Sequence, residues 1–334
     1  MTSSDFKRWL HAFPEIGVLA KVEPFFLPAE KGGVSSPRLW QELAKQIEKQ
    51  WSGFDGFVVL HPIESILFAA SALSYIFAPQ TKPIVFTGSP FAQIERKEND
   101  RKSPDEWKDL DARANLLNSV QIASAAGINE AIVVSGNRLL RANRAKRMNL
   151  PTFNLFEADD KGFLGKIDFF INPQKAAVKI SRAGKKRIRS DLESNIGVID
   201  VYPGFDLSVV SAIAEGKKGI LIRANNPRDL EILAPAANIF QKTITAVYCV
   251  QQRDWDPSGR WKEILIPAKT VSFEAALTKL MWALPQSKKW SDAAKIFSRD
   301  IAGEYGGGIS EYILPECRPK AGEQALFWKK SRIS

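Results

Sequence analysis

Cysteine and histidine are both scarce in this chain, which has two of each among its 334 residues. Two cysteines, Cys249 and Cys317, are too few for a disulfide framework and favour a reducing compartment. Their spacing is not that of a metal site. With only His11 and His61 available as imidazole ligands, the sequence predicts no histidine-rich metal cluster.

Long apolar stretches are also absent. No run approaches the roughly 18 consecutive apolar residues that a membrane-spanning helix needs. The first residues, MTSSDFKRWLHAF, contain no apolar region of the kind found in a secretory signal. We therefore expect a cytoplasmic protein with no membrane partner.

The overall composition is that of a globular protein. Hydrophobic residues make up 45% of the chain and charged residues 25%, both ordinary values. The length predicts roughly two domains of about 150 residues each. The formal net charge of +10 favours weak attraction to nucleic acid or other polyanions.

One stretch predicts a strand–loop–helix–strand unit of an α/β domain. An apolar run at Phe57–Leu60 is typical of a buried strand, and the loop His61–Ser65 follows it. Apolar residues then recur at helical spacing from Ile66 to Phe77, and a second apolar run follows at Ile84–Thr87. Because ligand sites in open parallel sheets lie at the carboxyl ends of strands, the His61–Ser65 loop is the candidate site.

Further apolar runs predict more strands along the chain, at 131–134, 167–171, 197–201, 219–222 and 244–249. Between the two halves, residues 179–189 are basic with no acid among them, and such like-charge runs are typically solvated. The sequence therefore predicts four segments. These are an N-terminal α/β domain at 1–175, a basic linker at 176–194, a second α/β domain at 195–300 and a C-terminal extension at 301–334.

Several motifs resemble those of the L-asparaginase/glutaminase family, including the asparaginase-like subunit of archaeal glutamyl-tRNA amidotransferase. They are Asp55-Gly56-Phe57-Val58-Val59, His61, Ala69, Leu73, Lys82-Pro83, Thr87-Gly88-Ser89, Asp111 with Asn115-Leu116, Tyr202-Pro203-Gly204, and EAALTKLMW at 274–282. The resemblance covers about residues 13–285. It implies a two-domain α/β fold, with a mostly parallel sheet flanked by helices in a larger N-terminal domain and a smaller C-terminal α/β domain. It also implies a homo-oligomer and neither metal nor organic cofactor.

The positions that carry catalysis in the family are altered here. By the resemblance, the family's catalytic Thr falls on Ile63 and its Asp on Glu64, while Pro62 replaces a glycine and Ser65 the last Thr. A substrate-binding Ser falls on Gly32. We expect the family's first strand, with its T-G-G-T motif and catalytic Thr, to be missing. An amidohydrolase of this type needs a nucleophilic hydroxyl with a base in reach, so we expect catalysis to be lost.

The resemblance carries over one catalytic residue unchanged, Lys146. It lies within Arg138–Arg147, where five of ten residues are basic, so a solvated basic face is the favoured alternative. Ser65 is the candidate replacement nucleophile, although a helix-cap role is favoured for it. The candidate catalytic residues are thus Lys146, Glu64 and Ser65, and the candidate substrate contacts are His61, Glu64, Gly32 and Ser89.

Three hypotheses follow for function. The first is a catalytically degenerate asparaginase-fold protein that binds an amino-acid-like or anionic ligand, or forms a hetero-oligomer with a catalytic paralogue. The second is a residually active amidohydrolase that releases ammonia through Ser65, Glu64 and Lys146. The third is a basic nucleic-acid-associated subunit that uses the runs 138–147 and 179–189, whose binding would depend steeply on salt.

Overall fold

The computed structural model describes residues 13–27, 35–88, 110–124, 127–148, 154–167, 171–173 and 188–306. They form two sheets of six and four strands, a short two-stranded sheet, and helices on the sheet faces. This is the two-domain α/β architecture that the sequence predicts. No helix in these ranges has the length and apolar character needed to cross a membrane.

The N-terminal half contains four α-helices and eight strands within the described ranges. The helices are α1 (Pro14–Leu19), α2 (Pro37–Gln50), α3 (Ile66–Phe77) and α4 (Leu110–Ser124). The strands are β1 (Phe57–Leu60), β2 (Ile84–Thr87), β3 (Ala131–Ser135), β4 (Arg138–Arg141), β5 (Lys146–Arg147), β6 (Phe156–Glu157), β7 (Phe163–Ile167) and β8 (Ile171–Pro173). A 3₁₀ turn, Ala142–Arg144, separates β4 from β5.

The second half adds four helices and four strands in the described part of the chain. The helices are α5 (Val209–Ala214), α6 (Ala237–Phe240), α7 (Phe273–Ala283) and α8 (Trp290–Phe297). The strands are β9 (Ile196–Asp200), β10 (Gly219–Ala224), β11 (Ile244–Cys249) and β12 (Leu265–Pro267). Three 3₁₀ segments lie at Pro227–Ala236, Gly259–Trp261 and Leu284–Gln286.

The six-stranded sheet has the order β1-β2-β3-β4-β7-β8. Strands β1, β2 and β3 pair in parallel, whereas β4, β7 and β8 pair antiparallel. The prediction of one strand over 167–171 is wrong, because Ile167 and Ile171 face each other across the β7–β8 pair. In the second sheet, of order β12-β11-β10-β9, all neighbours are parallel.

Helices cover both faces of the first sheet. On one face, α2 and α3 pack on Phe86 and Val133 in a large core, and on the other, α4 contributes Ile122 to a core around Val85. Helix α2 begins where the sequence predicts, since the Ser36 hydroxyl accepts a hydrogen bond from the Leu39 amide at 3.3 Å. A capping hydroxyl of this kind satisfies an amide that the helix itself cannot.

Helix α7 joins the two halves. On one side it packs on the second sheet, where Leu280 contacts the core around Leu221. On the other side it meets α3, since the Tyr75 hydroxyl donates to the Ala275 carbonyl at 3.2 Å and the Tyr75 ring stacks on Trp282. The family-like segment EAALTKLMW therefore lies in the helix that fixes one sheet against the other.

Candidate functional site

The His61 loop, residues 61–65, lies at the carboxyl edge of the first sheet between β1 and α3. It is held against the end of β2, because the His61 amide donates to the Thr87 carbonyl at 3.0 Å. A Cβ atom on Gly88 would lie 2.3 Å from the His61 carbonyl oxygen and 3.4 Å from Ile63 Cγ1. Only glycine permits this close approach of the backbone, so the Gly88 position is required by the shape of the loop.

A chain of hydrogen bonds fixes the His61 ring. The Trp40 indole N–H donates to Ser35 Oγ at 2.6 Å, which leaves the Ser35 hydroxyl proton free to donate to His61 Nε2 at 3.0 Å. His61 Nδ1–H then donates to the Pro62 carbonyl at 2.9 Å, because a carbonyl only accepts. Both ring nitrogens of a neutral His61 are thus occupied, and the ring has a positioning role in the loop.

The pKa of His61 is lowered from its ordinary value, first by burial, against the opposing effects of the Pro62 carbonyl and the charge of Glu64. The folded state therefore binds fewer protons than the unfolded state once the pH falls to the unfolded pKa of about 6.5. We expect the free energy of unfolding to fall as the pH is lowered through the window from about 7 to about 5. His61 contributes at most about 1.4 kcal/mol per pH unit to this fall. Above that window the contribution of His61 is constant.

The check is the free energy of unfolding in urea at pH 7.5, 6.5 and 5.5, for the wild type and for His61→Gln. The variant is expected to lose part of the slope between pH 7 and 5, whatever its absolute stability. Equal slopes in the two proteins would contradict the prediction.

Ile63, on which the resemblance places the family's catalytic Thr, is part of the hydrophobic core. Its side chain is 4% exposed and belongs to the same cluster as Trp40, Ile66 and Ala145. A hydrocarbon side chain in this place offers no proton and no nucleophile. It also fills space with apolar atoms at the point where the loop turns into α3.

The two polar side chains of the loop have different surroundings. Glu64 is exposed and Ser65 is half-buried. Ser65 occupies the N-cap position of α3, yet its hydroxyl makes no capping hydrogen bond. Within the described ranges, the Ser65 hydroxyl has no base at hydrogen-bond distance, and Glu64 forms no ion pair.

Lys146 lies in the short strand β5, opposite Glu157 of β6 in the antiparallel register. Its neighbours Ala145 and Phe156 belong to the core cluster that also contains Ile63. Lys146 itself is half-buried. Among the residues that the structure describes, it contacts neither Glu64 nor Ser65 through a hydrogen bond or an ion pair.

The prediction of a solvated basic face over Arg138–Arg147 is wrong for its two central arginines. Arg141 is 3% and Arg144 4% exposed. Arg141 Nε donates to Glu130 at 2.6 Å, and Arg144 Nε donates to Asp159 at 2.9 Å. These guanidinium groups are occupied inside the fold, so they are not available to an anionic ligand or to nucleic acid.

The bridging contacts of Asn115 are not predictable from the sequence, in which this residue is only part of a family-like motif. Its side-chain amide donates to the Gly88 carbonyl at 3.2 Å, and its side-chain oxygen accepts from the Gly136 amide at 3.1 Å. It thus ties together the carboxyl ends of β2 and β3. Two other predicted site residues, Gly32 and Ser89, lie outside the described residues.

The part of the chain that the structure describes contains no cluster of metal-binding side chains. No three side chains of His, Cys, Asp or Glu gather there into a possible ligand set. Cys249 is buried and unpaired, and burial raises the pKa of its thiol to about 12, which leaves it protonated and inert at neutral pH.

Comparison with known proteins finds several relatives. The family model described as "Asparaginase, N-terminal" matches residues 1–179. L-asparaginase 1 of Escherichia coli (strain K12) is 25% identical over 292 residues, which span 84% of this chain and 83% of that protein. A glutamyl-tRNA(Gln) amidotransferase subunit of Methanosarcina acetivorans is 24% identical over 318 residues, or 88% and 71% of the two chains.

A similar fold is found among solved structures. L-asparaginase I from Vibrio cholerae superposes with a TM-score of 0.75 at 24% sequence identity. The match covers 91% of this chain and 94% of that one. The fold is therefore shared with that protein over most of both chains.

Proposed function

The chain belongs to the asparaginase family, and we propose that it is a member that no longer hydrolyses amides and acts by binding a ligand or a partner protein. The observation that carries this proposal is Ile63. Acyl transfer in a family of this kind needs an activated hydroxyl, and here the corresponding side chain is a buried hydrocarbon, 4% exposed. Loss of a nucleophile can cost on the order of 10⁶ in kcat.

The surroundings of the loop support the same proposal. The imidazole of His61 is neutral and uses both nitrogens in structural hydrogen bonds, so it is not free to activate a hydroxyl. Arg141 and Arg144 are committed to Glu130 and Asp159. What remains at the edge of the sheet is a loop that is firmly held but has no nucleophile–base pair among the described residues.

Of these two, a partner protein is favoured over a small ligand. One relative is by name part of a tRNA amidotransferase, which supports assembly with another chain, either a copy of this protein or a catalytic paralogue. Strand β9 is an edge of the second sheet. Val198 on this strand and Tyr202 just beyond it are 41% and 57% exposed. Unpaired strand edges with exposed apolar side chains are typical contact surfaces between chains.

A residual amidohydrolase is the second candidate, favoured by one observation. The Ser65 hydroxyl is half-buried and makes no capping bond, so it is available for other contacts. It would need a base from Glu64 or Lys146, and neither side chain reaches it in the described structure.

Ammonia release from L-asparagine and L-glutamine separates the two candidates. We expect no release above the uncatalysed rate, even at high protein concentration, for the wild type. Light scattering on the same sample establishes its oligomeric state, so that a lack of activity is not a result of dissociation. Release that disappears in Ser65→Ala or Lys146→Ala would refute the proposal and identify a working catalytic group.

A further inference from the structure

A basic cavity lies in the second half of the molecule, away from the His61 loop. Its volume is about 410 Å³, and its walls come from the residues that lead into β10 and β11 and from the end of the α7 segment. Four lysines line it, Lys217, Lys218, Lys242 and Lys288, and we call it the lysine cleft. It opens at the amino-terminal edge of the second sheet, because Lys218 and Lys242 come just before β10 and β11.

The positive charge in the lysine cleft is neutralised only in part by the protein. Glu193 is the one acidic side chain in the wall, and its carboxylate already accepts a hydrogen bond from the Asn195 amide at 2.8 Å. None of the four lysines forms an ion pair with any residue in the described ranges. Like charges that gather without counter-charges repel one another and destabilise the compact state.

The main chain holds the lysines of the cleft in place. The Lys218 amide donates to the Asn195 carbonyl at 2.9 Å and the Lys242 amide to the Ile239 carbonyl at 3.2 Å. The Lys288 amide donates to the Asp292 carboxylate at 3.1 Å. The backbone of these lysines is therefore fixed around an open space, and the exposed side chains of Lys218, Lys242 and Lys288 are accessible to a ligand.

The rim of the cleft carries a further cation. The Arg189 guanidinium donates to the side-chain oxygen of Gln286, which lies between Pro285 and Ser287 of the wall. The Arg189 carbonyl accepts from the Trp282 indole N–H at 3.1 Å. The end of the basic run 179–189 is thus fixed beside the lysines, and Arg189 adds to the positive field.

We propose that the lysine cleft binds a compact polyphosphate group, such as the di- or triphosphate of a small phosphorylated ligand. Four lysines against one glutamate give the wall an excess of three positive charges, which suits an anion with several negative charges. Lysine binds phosphate as a point charge, and a volume of roughly 400 Å³ is that of a small-molecule pocket. The proposal does not depend on whether the His61 loop is catalytic, because the lysine cleft and the His61 loop share no residue.

Sodium tripolyphosphate is the probe, titrated into the full chain by calorimetry in phosphate-free buffer at constant ionic strength. We expect one saturable site and a rise in the thermal unfolding temperature. The double variant Lys218→Gln/Lys242→Gln should weaken binding by about tenfold or more per lysine, as charge-assisted hydrogen bonds do.

The matched control is Lys21→Gln/Lys49→Gln, which removes two exposed lysines and changes the net charge equally. It should leave the affinity unchanged. Equal losses in the two double variants would show diffuse surface attraction and overturn the proposal, as would the absence of saturation. Saturable binding of a short single-stranded RNA, with none of tripolyphosphate, would also overturn it, because the partner would then be an extended nucleic-acid backbone.

Discussion

Replacing Glu304 with alanine is expected to destabilise the folded chain by about 3–5 kcal/mol, the cost typical of leaving a buried charge unpaired. Glu304 and Lys279 are both fully buried, with Lys279 Nζ 2.6 Å from Glu304 Oε1. Burial opposes ionisation of Glu304, but the nearby Lys279 ammonium and several hydrogen bonds outweigh it and lower the pKa of the carboxyl. Without that carboxylate, the Lys279 ammonium would remain in the interior without its contacting partner, and its remaining counter-charge would be the exposed Asp300.

The Glu304 carboxylate also shapes the segment around it. It accepts hydrogen bonds from the Ile301 amide at 3.0 Å and the Ala302 amide at 2.7 Å. The carbonyls of the same segment accept from the first half of the molecule, Ala302 from Asn143 at 3.1 Å and Glu304 from Arg144 at 2.6 Å. The alanine variant should therefore also loosen the contact of residues 301–306 with the Ala142–Arg144 turn.

Two measurements test this prediction. Urea unfolding followed by tryptophan fluorescence gives the loss of stability, and hydrogen exchange of the amides of residues 301–306 reports their detachment. The double variant Lys279→Met/Glu304→Ala is the control, because removing both charges is less costly than removing one. A single variant as stable as the wild type, or a double variant less stable than the single one, would show that the pair does not act as described.

Much of the fold is predictable because several of its strands are apolar along their whole length. Parallel strands buried on both faces appear as continuous apolar runs, and the runs Ile84–Thr87 and Ile244–Cys249 coincide with the buried strands β2 and β11. The run Phe57–Leu60 coincides with the partly exposed edge strand β1. The prediction over 167–171 failed because apolar residues on both sides of a strand reversal look like one strand. The local sequence does not distinguish the two cases.

The candidate site was less predictable, for a different reason. The substitution by Ile63 can be recognised from the motif alone. The hydrogen bond between Ser35 and His61 joins residues 26 positions apart, and it depends on how α2 is placed against β1. In the same way, the burial of Lys279 is visible only once Glu304 is brought beside it by the fold. In the sequence, a charged residue whose partner lies far along the chain looks the same as a charged residue in solvent.

The second large effect is expected for Arg141→Gln, which should lower the free energy of unfolding by about 3–5 kcal/mol. The Arg141 guanidinium donates to Glu130 at 2.6 and 3.3 Å and to the Lys161 carbonyl at 2.9 Å. It also reaches the Gly303 carbonyl at 3.4 Å. Glutamine is too short to restore the paired geometry and carries no charge, so Glu130 would be left buried with an uncompensated carboxylate.

The neighbouring basic residue Arg147 provides the control for Arg141. It lies in the same basic run but is exposed, and it forms no ion pair with a described residue, so Arg147→Gln should change stability by less than about 0.5 kcal/mol. Both variants remove one arginine charge, which makes the comparison independent of net charge. Urea unfolding at pH 7 is the measurement, and similar small losses in both would mean that the run is solvated after all. A large loss confined to Arg141 would establish that part of this chain's basic character is structural, because the charge is used to hold the first sheet to the segment at 301–306.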